Sequence, residues 1–126
     1  ALAGAAAAAR CTVLAGDNRR PEVRAAVAGH CDRVVLGLIP TSRAGFPAAV
    51  AALRGSGGIL HVHWNVAADE EEAAARAVAD ELESLLREAR GGLWECDVVG
   101  VQRIKWFAPR VRHVRIDVRC DCAAPS

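Results

Sequence analysis

The sequence predicts an α/β domain built on a mostly parallel sheet, and three observations carry that reading. Apolar, β-branched runs alternate along the chain with segments of helical periodicity. Asp32 to Leu38 (DRVVLGL) reads as a continuous apolar run, as strands do when helices cover both faces of a parallel sheet. The last third instead alternates strictly, with Val114, Ile116, Val118 and Cys120 on one face.

Ala1 to Ala9 reads as helix, because alanine has the best intrinsic propensity, and Cys11 to Ala15 (CTVLA) as the first strand. Gly16-Asp17-Asn18 stops that strand. Pro21-Glu22 opens a short helix to about Ala28, with proline where its missing N–H is not needed, and Gly29 closes it. Asp32 to Leu38 is the second strand, ended by Pro40-Thr41-Ser42. A helix from about Ala44 to Leu53 stops at Gly55 to Gly58, and Ile59 to Val66 forms the third strand. Asp69 is expected to cap the next helix, with Glu72 completing a capping box. That helix repeats Ala74, Val78, Leu82, Leu85, Leu86 and Ala89 on one face and ends at Gly91-Gly92. Glu95 to Phe107 is extended, Ala108-Pro109 turns, and Arg112 to Cys120 returns as a hairpin partner. Such alternation implies right-handed crossovers and one antiparallel strand at the end.

A chain of 126 residues suits one domain and buries roughly two-thirds of its unfolded surface. With 52% hydrophobic and 25% charged residues it has the composition of a folded soluble domain, which excludes the disordered classes. No stretch approaches the roughly 20 apolar residues of a membrane span, and Ala1 to Ala9 lacks the basic start of a signal peptide. The odd, scattered set of 5 cysteines argues against a disulfide framework and for a reducing compartment, by default the cytoplasm. The chain begins with Ala and opens as if within a helix, so it is read as part of a longer protein.

A formal net charge of +1 supplies no global attraction to nucleic acid, but its distribution is uneven. Acidic residues crowd Asp69 to Glu88, whereas Arg103, Lys105, Arg110, Arg112, Arg115 and Arg119 are interrupted only by Asp117. Ordinary solvated strand faces would look like this. So would a phosphate-contacting surface, for which Trp106 and Phe107 offer stacking partners.

Open parallel sheets bind ligands at the carboxyl ends of their strands, which singles out Asp17-Asn18, Gly37 to Ser42, and His61 to Asn65. Asp17-Asn18 reads either as a turn leading into the next helix or as an acceptor and donor pair for an adenine edge. Gly37 to Ser42 is either a strand-to-helix loop with a Ser or Thr cap or the wall of a pocket for a flat substrate. His61-x-His63 puts both rings on one strand face, but no carboxylate or cysteine stands at ligand spacing, so no metal is expected. A glycine-rich phosphate loop and an acid to hold a ribose are absent from these residues.

The blocks Gly16-Asp17-Asn18-Arg19, Asp32 to Ser42, Gly57 to Val66 and Ile104 to Asp117 together resemble the aminocarboxypropyltransferases of tRNA wybutosine synthesis. Those enzymes share a superfamily with the N1-methyltransferases of tRNA guanosine 37, and the resemblance runs from about Cys11 to Cys120. It implies a Rossmann-like, class I methyltransferase fold of which residues 1–126 hold the C-terminal part, the third to seventh strands with the last antiparallel. It implies that Asp17 and Asn18 lie beside the adenine of S-adenosylmethionine (AdoMet), a co-substrate, with no metal.

The same resemblance implies transfer of the 3-amino-3-carboxypropyl group to carbon 7 of 4-demethylwyosine at position 37 of phenylalanine tRNA. The anticodon loop is then the partner, with Leu38, Pro40, Thr41, Ser42, Lys105 and Arg110 as its binding residues; no catalytic residue is assigned. The methyltransferases carry Asn-Leu-Pro where Leu38-Ile39-Pro40 stands here, so an amide for the guanine edge is missing. The family's glycine-rich first strand, ribose-binding acid and N-terminal tRNA-binding region have no counterpart in these residues, so the chain alone is expected to be inactive. The alternatives are the tRNA guanosine-37 N1-methyltransferase and a non-catalytic RNA-binding remnant of the fold.

Overall fold

Pro21 opens the first helix, α1 (Pro21–Val27), of a computed structural model that describes residues 10–123. The helix expected over residues 1–9 lies outside the described residues. Strand β1 (Arg33–Leu36) follows, and a 3-10 turn (Arg43–Gly45) leads into α2 (Phe46–Ala52). Then come β2 (Gly57–Ala67), the long helix α3 (Glu71–Arg90), β3 (Trp94–Ala108) and β4 (Val111–Cys122).

The sheet order is β1-β2-β4-β3, with β1 parallel to β2 and β4 antiparallel to both its neighbours. Strands β1, β2 and β3 therefore run the same way and β4 alone is reversed, as the expected final antiparallel strand requires. Because β4 inserts between β2 and β3, most of the hydrogen-bonded ladder is nonetheless antiparallel. Pro109 and Arg110 form the two-residue turn between Ala108 and Val111, and Arg110 takes a φ of 64°.

Two local expectations fail. Residues 11–15 form no strand, and Val13 is 85% exposed. A strand needs a partner for its backbone N–H and C=O groups, and among the described residues nothing pairs with this segment. The capping box at Asp69 does not form either: the cap is Glu70, without a side-chain hydrogen bond. A turn off the end of β2, in which the Glu70 N–H donates to the Ala67 carbonyl at 2.9 Å, delays the helix start. Glu71 and Glu72 then occupy the first turn, where the helix dipole favours negative charge.

One face of the sheet packs on α2 and α3. Alternation sends Leu60, Val62, Trp64 and Val66 of β2 and Val114, Ile116, Val118 and Cys120 of β4 into that core. From α3 it takes Ala75, Val78, Ala79, Leu82 and Leu86, with Ala74 and Leu85 partly buried, whereas Ala89 is exposed. Leu82 and Leu86 are fully buried, each contributing about 1.5–3 kcal/mol by removal from water. At the start of β2, Gly57 (φ 113°) and Gly58 let the backbones of Cys120 and Asp32 approach where a Cβ would collide with their carbonyl oxygens. The opposite face carries His61, His63 and Asn65 of β2 opposite Asp117, Arg115 and His113 of β4. Among the described residues no helix is long and apolar enough to cross a membrane.

Candidate cofactor and RNA site

The carboxyl end of β1 opens onto a cavity of ≈ 230 Å³, walled by Asn18 and Arg19 on one side, Leu36, Gly37 and Leu38 on another, and Ala44-Gly45 beneath. A Cβ on Gly45 would meet Leu36 Cδ2 at 2.6 Å, so bare backbone forms that part of the wall. The turn before α1 thus meets the loop after β1, joining two of the junctions singled out in the sequence. A larger hollow, ≈ 600 Å³, lies between the start of α3 and Val98 to Val101 of β3. It sits against the far edge strand, away from the parallel strand ends where α/β sheets place ligands.

Asp17 sits in an Asx-type turn: its Oδ1 accepts from the Arg19 N–H at 2.9 Å, and its carbonyl accepts from the Arg20 N–H at 3.0 Å. The Arg19 guanidinium also grips the carboxylate, with Nη2 donating to Oδ2 at 2.7 Å and Nε to Oδ1 at 3.0 Å. That hydrogen bonding holds the Asp17 carboxyl down to about 2. Asn18 and Arg19 line the cavity, whereas Asp17 does not.

The loop from Gly37 to Ser42 is fastened to the end of β2. The fully buried Ser42 hydroxyl lies 3.0, 2.9 and 2.9 Å from the carbonyls of Leu36, Leu38 and His63. The Asn65 N–H donates to the Pro40 carbonyl at 2.8 Å, and Thr41 bridges Trp64. This fixes Leu38, which lines the cavity and is 56% exposed, while Ser42 is fully buried. The Ile39–Pro40 peptide is cis.

On the open sheet face, His61 Nδ1 lies 2.7 Å from Asp117 Oδ1 and His63 Nδ1 2.7 Å from His113 Nε2. Arg115 adds two bonds to Asp117, at 2.9 and 3.1 Å. Burial raises the Asp117 carboxyl, but Arg115 and His61 outweigh it and hold the group below its ordinary value. Burial lowers His63, with His113 and Arg115 acting the same way. Among the described residues no set of three or more His, Cys, Asp or Glu side chains is placed to hold a metal ion.

The basic hairpin is more neutralised than its sequence implies. Glu71 of α3 receives Arg103 at 3.1 Å and Arg112 at 3.2 Å, and Asp117 holds Arg115. Lys105 and Arg110 are exposed and make no ion pair among the described residues. The Arg110 carbonyl accepts from the Ala68 N–H at 3.0 Å, which places the hairpin turn at the carboxyl end of β2. Lys105 and Arg110 therefore share that end of the sheet with Asn18, Leu38, Pro40 and Thr41, with β2 and β4 between the two groups. Sequence reasoning missed Glu71 and Arg19, the carboxylate and the cation that set the charge of these two regions. The Arg19 signal was an arginine two residues after an Asx-turn aspartate.

No family model matches the chain. Its fold is similar to that of the M. jannaschii TYW2 crystal structure in complex with AdoMet, with a TM-score of 0.64 and 25% identity, over 84% of this chain and 43% of that one. The chain thus has the Rossmann-like, methyltransferase-type fold expected from its sequence. It is 45% identical over 111 residues to tRNA wybutosine-synthesizing protein 2/3/4 of Arabidopsis thaliana, covering 88% of this chain and 11% of that protein. It is 31% identical over 141 residues to the tRNA wybutosine-synthesizing protein 2 homolog of Danio rerio, covering 88% of this chain and 34% of that protein. By sequence the chain is similar to these tRNA wybutosine-synthesizing proteins, and it spans about a tenth to a third of their length.

Proposed function

We propose that this chain is part of an enzyme that transfers the 3-amino-3-carboxypropyl group of AdoMet to carbon 7 of 4-demethylwyosine in tRNA. The observation that carries this reading is the cavity shared by Asn18 and Leu38 at the carboxyl end of β1, in a chain 45% identical to a wybutosine-synthesizing protein. Ligand sites for whole drug-sized molecules run to roughly 300–1,000 Å³, so ≈ 230 Å³ suits one end of such a ligand. The donors and acceptors fit adenine: the Asn18 amide offers both, its chain neighbour Asp17 adds an acceptor, and Leu36 and Leu38 supply apolar surface for a flat ring.

When bound, AdoMet supplies a carbon activated by its sulfonium: that carbon–sulfur bond breaks, a bond to carbon 7 forms, the carbon-7 proton is lost and methylthioadenosine leaves. The chain's own residues orient the two partners and exclude water. Leu38, Pro40 and Thr41 form the wall toward the base, and Ser42 acts by fixing that wall. Lys105 and Arg110 are free to meet phosphates of the anticodon loop of phenylalanine tRNA. Leu38-Ile39-Pro40, in place of Asn-Leu-Pro, favours this reaction over methylation of guanosine 37. The scattered cysteines favour a cytoplasmic enzyme.

Titration of AdoMet and of tRNA, measured separately on the protein that carries this chain, tests the reading. Asp17→Ala and Asn18→Ala are each expected to weaken AdoMet, the former roughly 10-fold or more, with tRNA affinity little changed. Unchanged AdoMet affinity in both folded variants would remove the adenine from this cavity.

A further inference from the structure

On the β3–β4 hairpin, Trp106 stands opposite Arg112, and the guanidinium carbon of Arg112 lies 4.1 Å from the Trp106 ring centroid. Arg112 is itself held: its side chain is 14% exposed and ion-paired to Glu71, which also receives Arg103. One face of the indole is therefore backed by a cation anchored on α3, while the residue remains 58% exposed. Such backing fixes the ring's orientation and leaves its other side available. Beside it opens a hollow of ≈ 280 Å³ lined by Arg103, Ile104, Lys105, Trp106 and Arg112. Three cations and no carboxylate line it, and Glu71 offsets only part of their charge from behind.

We propose that Trp106 is a stacking platform for an unpaired base of the tRNA, with Lys105 and Arg103 meeting the adjoining phosphate. Every base offers a π-face to an indole, and an aromatic ring beside basic side chains is the combination that holds single-stranded nucleic acid. Strand β3 lies three strand spacings from β1, roughly 14 Å, so the stacked base is a neighbour of the modified one rather than that base itself. The inference rests on the reading of this chain as part of a tRNA-modifying enzyme, shares Lys105 with it, and adds Trp106, Arg103 and Arg112.

Tryptophan emission tests it directly, because Trp64 and Trp94 are 8% and 2% exposed and Trp106 is the accessible indole. The protein that carries this chain is titrated with an anticodon stem-loop RNA, with a fully paired RNA duplex of equal length, and with polyglutamate. Quenching by the stem-loop beyond that by the other two is expected. Trp106→Ala should weaken the stem-loop about 5- to 150-fold, and Trp106→Phe should retain most of the affinity without the quenching. Equal affinity in the parent, Trp106→Ala and Trp106→Phe overturns the platform and leaves the proposed reaction standing. Quenching by the duplex or by polyglutamate as strong as by the stem-loop also overturns it. A parent that binds no RNA overturns both.

Discussion

Arg19 clasps the carboxylate of Asp17 through its backbone N–H and two guanidinium nitrogens, at 2.9 Å from the backbone and as close as 2.7 Å from the side chain. The acid expected to meet adenine is therefore already partnered, two residues away along the chain. A ligand at this corner must share the carboxylate with Arg19 or displace it.

Removing that partner should be visible without any ligand. In Arg19→Leu the Asp17 carboxyl loses its strongest stabilising hydrogen bonds, so its midpoint should climb from about 2 toward the ordinary value near 3.9. Carboxyl-carbon NMR titration of the two proteins makes the comparison. An identical midpoint in both would mean that the clasp is not formed in solution.

Ser42 offers a stability test. Its hydroxyl is the donor placed among three backbone carbonyls in a fully buried position. Ser42→Ala leaves them without it, at a cost of about 1–3 kcal/mol. Urea denaturation should show a lower midpoint with an unchanged slope. A midpoint equal to the parent's would contradict the role of Ser42 as the fastener of the loop.

Acid should loosen the open sheet face in two stages. His63 is lowered below its ordinary value near 6.5, so it is neutral in the fold while the unfolded chain takes up a proton first. Its contribution is complete above about pH 6.5 and is lost as pH falls through the lowered value. Asp117 is also lowered, so its contribution is present above about pH 3.9 and lost as pH falls further. Unfolding midpoints measured from pH 8 to pH 5, roughly the window of His63 protonation, should fall in the parent and fall less in His63→Gln. A parallel decline in the two proteins would remove His63 from the account.

Much of the fold was legible because it rests on periodicity. The alternation of Val114, Ile116, Val118 and Cys120 located β4, and the spacing of Val78, Leu82 and Leu86 located α3. The sheet order was not legible, because no local pattern announces that β4 will insert between β2 and β3. Cys11 to Ala15 has the composition of a strand, but pairing is decided by partners elsewhere, and none stands beside it among the described residues. The site divides in the same way. Leu38 to Ser42 stood out as residues after a strand end and Asp17-Asn18 as a turn before a helix, whereas the convergence of Arg103 and Arg112 on Glu71 joins residues 32 and 41 positions apart and leaves no trace in spacing.

The central claim concerns which carbon of AdoMet leaves the sulfur. The protein that carries this chain should be incubated with tRNA bearing 4-demethylwyosine and with AdoMet labelled either in its carboxyl carbon or in its methyl group. Label from the carboxyl carbon is expected in the tRNA, with the methyl label remaining in methylthioadenosine. Methyl label entering the tRNA while the carboxyl label stays out would contradict the account.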